Sequence, residues 1–137
     1  MKKIVLLFVI ISLSSFTNTN FQKQKTIELL CSGKWYINYG IINGVKRNFQ
    51  EDRRKNTWFL LHKDGTSEAM STNGLHKGVW ELNNETKNLK FIENSKYTQN
   101  KDEITVQKII SIDSNELALE MTNKRQKITL YFKKGFN

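Results

Sequence analysis

The chain has 137 residues, room for one domain and not two at the usual size of about 100–200 residues per domain. It is 38% hydrophobic, with eight Phe, four Tyr and three Trp, which is too apolar and too aromatic for a disordered tail. No Pro and one Cys exclude a Pro-rich linker, a disulfide scaffold and a zinc site built on several cysteines. Net charge is +9, from 22 basic and 13 acidic side chains, which raises nucleic acid as a partner. The pattern argues against it, because lysines are spread through every segment and only four Arg occur, whereas nucleic-acid readers cluster their bases and use Arg forks. The one local cluster, Lys46-Arg47 with Arg53-Arg54-Lys55, is interrupted by Glu51-Asp52.

Residues 1–20 read as an export signal: Lys2-Lys3, an apolar run from Ile4 to Ile11, then the small residues Ser12, Ser14 and Ser15. The run is too short to span a bilayer, which takes about 20 apolar residues. Cleavage is expected between Ser15 and Asn20, leaving residues 21–137 as the mature domain, basic still, in the periplasm or outside the cell. Cys31 lies beyond Asn, Gln and Lys residues and directly after Leu30, so it lacks a lipid-attachment context and reads as a buried small hydrophobe. No lipid anchor and no membrane span after signal removal are expected.

A helix over 24–32 ends at Gly33, a usual stop residue. From there the period is two, with turn residues about every ten positions. Strands are expected at 34–42, 57–62, 66–71, 77–82, 88–92, 103–112, 116–122 and 126–133. Lys63-Asp64-Gly65 is the strongest hairpin turn, since Asp and Gly tolerate positive φ. The charged stretch 43–56 is the longest connection and is expected to be a mobile loop. The fold class is therefore all-β: an eight-stranded antiparallel up-and-down barrel preceded by a short helix, since successive hairpins lie side by side and closure removes exposed edges. A sandwich is the alternative.

Gly33-Lys34-Trp35, opening the first strand after a short helix, resembles the Gly-x-Trp of lipocalins. Trp58-Phe59-Leu60 with Asp64-Gly65-Thr66, a second Gly-x-Trp at Gly78-Val79-Trp80, Leu89-Lys90-Phe91 and Ser114-Asn115-Glu116-Leu117-Ala118-Leu119 are similar to the small bacterial lipocalin-like domains. The likeness runs over about residues 26–133. The chain departs from the larger relatives in having no helix-forming stretch after the eighth strand. The resemblance implies an exported, non-enzymatic barrel with a pocket for a small apolar molecule, and an Arg, here Arg125, packed over Trp35.

In such a barrel Trp35, Tyr39, Leu60, Trp80, Phe91, Val106, Leu119 and Phe132, with Leu82 and Ile104, are expected to point inward, and the first eight are the candidate ligand-binding residues. An eight-stranded interior is just wide enough to be filled by side chains or to hold one small ligand. A small hydrophobic ligand, with the loops 43–56 and 72–76 gating an open end, is one reading. A filled barrel acting through its surface on an envelope or secreted protein, as an inhibitor or assembly factor using the basic 46–55 stretch, is the other. A cavity above about 300 Å³ favours the first.

Chemistry is sparse. His62 and His76 are the only imidazoles, and nothing in the sequence sets either beside a serine, so no catalytic residues are expected. Asp52, Asp64, Asp102 and Asp113 fall in turns, where Asx hydrogen bonds account for them. Glu68, Glu81 and Glu120 alternate with apolar residues and are expected to face solvent. No metal site, phosphate loop or cofactor site is expected.

Overall fold

A computed structural model describes residues 19–94 and 103–135, so residues 1–18 of the expected export signal and Asp102 fall outside the described residues. Helix α1 covers 19–30. Its start is earlier than expected because residues 19–23 are exposed and polar apart from Phe21, itself 66% exposed, and carry no apolar periodicity to announce a helix. Its other end carries Ile27 and Leu30 into the protein core. Among the described residues no helix is long and apolar enough to cross a membrane.

Nine strands follow: β1 (Trp35–Ile42), β2 (Val45–Asn48), β3 (Trp58–Leu61), β4 (Thr66–Ser71), β5 (Gly74–Asn83), β6 (Asn88–Glu93), β7 (Glu103–Ile112), β8 (Glu116–Thr122) and β9 (Lys127–Lys134). From β3 to β9 each pairs antiparallel with the next, and β1 closes the circle by pairing with β9 over its whole length. The free edge of β1 is shared, Trp35 and Tyr36 bonding to β3 while Tyr39–Ile42 bond to β2. Eight strands thus form the barrel and β2 is a flap on its rim.

That flap corrects the expectation for 43–56. Asn43 and Gly44 both take positive φ, 49° and 81°, which is the two-residue hairpin geometry matched to strand twist, and they turn β1 directly into β2. The one-turn helix α2 (Glu51–Lys55) follows, so Asp52 lies in a helix rather than a turn. Three of the segment's bases are spent locally: Lys46 lies 4.2 Å over the Tyr39 ring, Arg53 4.6 Å over Phe49, and Arg54 donates to Asn38 Oδ1 at 3.4 Å. Phe49 in turn packs toward Gly40, whose inward face leaves room for it beside Leu130.

The Asp64-Gly65 hairpin forms as expected. Asp64 Oδ1 accepts from Thr66 N–H at 2.9 Å and Thr66 Oγ1 at 2.7 Å, and Gly65 takes φ 88°. These bonds hold the Asp64 carboxyl below its ordinary range, as backbone N–H groups of Asn115 and Glu116 do for Asp113. Glu68, Glu81 and Glu120 do face outward, each near a base: His62 and Lys77, Lys90, and Lys127 respectively.

Candidate functional site: a cavity at the open end of the barrel

The barrel has unlike ends. At the end where β1 starts, Leu30, Trp35, Leu61, Leu89 and Leu117 are fully buried, and α1 lies across the opening. Trp35 Nε1 donates to Leu30 C=O at 3.0 Å, tying the first strand to the helix. Lys134, opposite Trp35 in register, lies 5.2 Å over its ring. It takes the place expected for Arg125, which stands in the β8–β9 turn at the other end of the barrel. Cys31 packs against the same core, and burial pushes its thiol above the ordinary range.

At the other end the interior opens into a cavity of about 210 Å³. Its apolar side is made by Phe59, Ala69, Phe91 and Phe132. Phe59 meets Phe91 at 5.7 Å between ring centroids and Phe132 at 5.0 Å, both edge-to-face. Its polar side is made by Ser67, His76, Glu93, Glu103, Thr105 and Gln107. Strand register explains the mixture. Phe59 stands opposite Ala69, Ala69 opposite His76, Gly78 opposite Ser67 and Glu93, and Phe91 opposite Thr105, and directly opposed residues share a face.

Of the eight residues expected to line the interior, five do point inward: Trp35, Trp80, Leu119 and Phe132 within the buried core, and Phe91 packed against it. Phe91 and Phe132 reach the cavity; Trp35, Trp80 and Leu119 belong to the packed part. The other three are corrected. Tyr39 lies outside because β1 carries a bulge between Ile37 and Tyr39 that flips the alternation, and it stacks on Tyr131 at 4.4 Å. Leu60 is opposite Glu68 on the outer face, since Phe59 and Leu61 are the buried pair of β3. Val106 is 49% exposed and Ile104 56% exposed, because β7 turns Thr105, Gln107 and Ile109 inward. Leu82 is partly buried against the core as expected.

The sequence reading missed the polar wall. Strand β5 begins at Gly74, not 77, because Thr72-Asn73 is a two-residue turn with Gly74 at φ 110° and Asn73 N–H bonded to Ser71 Oγ at 3.2 Å. That extra length brings His76 onto the wall, where Nε2 lies 3.0 Å from Ser71 Oγ and Nδ1 2.6 Å from Glu93 Oε1. A histidine beside a serine and a carboxylate is the opposite of what the sequence suggested. Ser71 does not line the cavity, however. The chain of contacts therefore fixes the His76 ring and the Glu93 carboxylate at the mouth rather than aiming a nucleophile into it. Deeper in, Gln107 Oε1 is buried with no hydrogen-bond partner among the described residues. Among those residues no group of three or more His, Cys, Asp and Glu is placed to hold a metal.

The architecture is that of a lipocalin-like barrel. It is similar to the crystal structure of a lipocalin-like protein from Bacteroides uniformis, with a TM-score of 0.57 and 16% sequence identity over 78% of this chain and 99% of that one. It is equally similar, at TM-score 0.57 and 14% identity over 82% of this chain and 99% of that one, to a DUF4847 family protein from Bacteroides vulgatus. At such identities the likeness is one of fold. No family model and no curated protein matched the sequence.

Proposed function

We infer that this chain is an exported barrel that binds one small, partly apolar molecule in the cavity at its open end, without transforming it. The observation that carries the reading is the cavity itself. A core meant only to be filled closes to native density, and here one end does so while the other leaves about 210 Å³ between three phenyl rings and a polar wall. That falls short of the roughly 300 Å³ that favours a ligand pocket, so the volume restricts the reading to a ligand smaller than drug-sized. A cavity of about 150 Å³ takes benzene, so the size fits a single ring with a short substituent.

The test uses 2-phenylethanol as a neutral probe in titration calorimetry. One site is expected, insensitive to salt because apolar burial drives it. Ala69→Leu, which fills the cavity from its wall, should weaken binding at least about tenfold with the melting temperature kept. Absence of binding, or binding unaffected by Ala69→Leu, overturns the reading. Export is tested separately: N-terminal sequencing of protein from the envelope or medium should find a start between Ser15 and Phe21, and an intact Met1 in the cytoplasm contradicts it.

One observation favours the second reading, action through the surface. Val79, Ile92 and Ile104 stand opposite one another across β5, β6 and β7 on the outer face, and with Val79 38% exposed and Val106 beside them they form an apolar stripe. Exposed apolar patches mark contact sites when they are large. Salt-resistant capture of a partner protein lost on Ile104→Lys would support it; the basic 46–55 stretch is less suited, because four of its five bases, Lys46, Arg53, Arg54 and Lys55, are engaged with groups of the same chain.

A further inference from the structure

We propose that the molecule taken up in the cavity is a small organic cation, a protonated amine carried on an apolar body of about ring size. The inference rests on the binding reading above and adds the charge of the ligand to it.

The argument starts from the sign of the wall. In a chain of net charge +9, the carboxylates that line this cavity are Glu93 and Glu103, directly opposite each other in the β6–β7 register. Two like charges so placed repel unless something positive lies near them. Glu93 Oε1 is met by His76 Nδ1. Glu103 has no ion-pair partner among the described residues. Lys77 also borders the cavity, but its ammonium is turned to the outer face, 3.8 Å from Glu68 Oε1. Among the described residues the inner wall thus sets two carboxylates against one imidazole.

The second observation is the set of phenyl rings. Phe59, Phe91 and Phe132 meet edge-to-face and border one side of the same space. Ring faces carry negative potential, and aromatic surfaces of this kind hold ammonium groups. Carboxylates and aromatic rings border the same space, and together they favour a cation over an anion. A carboxylate-bearing ligand of the same shape would meet Glu93 and Glu103 instead of a partner.

The experiment compares three probes of one shape on the same protein by titration calorimetry: 2-phenylethylammonium, 2-phenylethanol and phenylacetate. The ammonium should bind about tenfold or more tighter than the alcohol, as charged hydrogen bonds outweigh neutral ones, and phenylacetate should bind weaker than the alcohol. Glu103→Gln, at an exposed strand start, should lower the ammonium's affinity more than the alcohol's and so narrow the gap between them, and an unchanged gap overturns the charge assignment. Thermal melting of the variant checks that it is folded. Equal affinity for ammonium and alcohol, or a preference for phenylacetate, overturns the charge assignment and leaves the binding reading standing; failure of all three probes overturns both.

Discussion

Trp35→Ala is expected to cost about 3–5 kcal/mol, the range for removing a large aromatic side chain from a packed core. The side chain is fully buried, and it also supplies the indole N–H that binds Leu30 C=O and the ring beneath Lys134. Its loss would leave a void, an unpaired carbonyl and a helix no longer fastened over the barrel end. Against a total stability of about 5–15 kcal/mol for a single domain, the variant should melt far below the parent. Tyr39→Ala is the control. Both residues belong to β1 and both look inward by simple alternation, but Tyr39 is beyond the bulge on the outer face, so its loss should cost about 1 kcal/mol or less beyond its stacking on Tyr131. Chemical denaturation of the two variants measures the difference. Equal costs would contradict the bulge.

Gly78→Val should also be severe. Gly78 faces inward between β4 and β6, where a Cβ would fall within the van der Waals shell of the Ile92 carbonyl oxygen and 3.0 Å from Glu93 Cα. Both are backbone atoms, which cannot swing aside as a flexible side chain would. Overpacking of this sort costs about 1–3 kcal/mol or more, and it should be felt at the cavity, because the displaced strand carries Phe91 and Glu93. Gly74→Ala offers a contrast in kind: open space surrounds Gly74, so only its φ of 110° resists the change. Gly78→Val melting near the parent temperature would show that β5 and β6 are not in such close contact.

These two variants also mark what could be read in the sequence. Trp35 and Gly78-Val79-Trp80 belong to strand patterns whose buried face was legible, because in β1 before the bulge, in β8 and in β9 one parity is plainly apolar. The eight barrel strands and their order followed from the same alternation and from turn signals such as Asp64-Gly65, whereas Asn43-Gly44 reads in the sequence as the start of a loop and does not announce the β2 flap. Which face of a strand is inside is a separate matter, since a shift of one residue exchanges the faces. In β7 the more apolar parity, Ile104 and Val106, is outside, and the chain turns Thr105 and Gln107 inward where a cavity wall is polar. Tyr39 was misplaced by an extra residue that no local pattern announces. Leu60 was ambiguous in Trp58-Phe59-Leu60-Leu61, where both parities are apolar. His76 and Glu93 meet only through the pairing of β5 with β6, seventeen positions apart in sequence, and no spacing rule within one strand brings them together.

The sealed end has a kinetic consequence. With α1 and Trp35 across one opening, a molecule in the cavity comes and goes at the opposite end, where His76, Glu93 and Glu103 stand. Arrival and departure then cross the same barrier, so a change that stiffens this doorway slows both rates together and leaves the equilibrium nearly untouched. Contacts on the cavity wall act otherwise, chiefly on departure. Occupancy and exchange rate are thus set by separate parts of one small barrel, the wall and the rim.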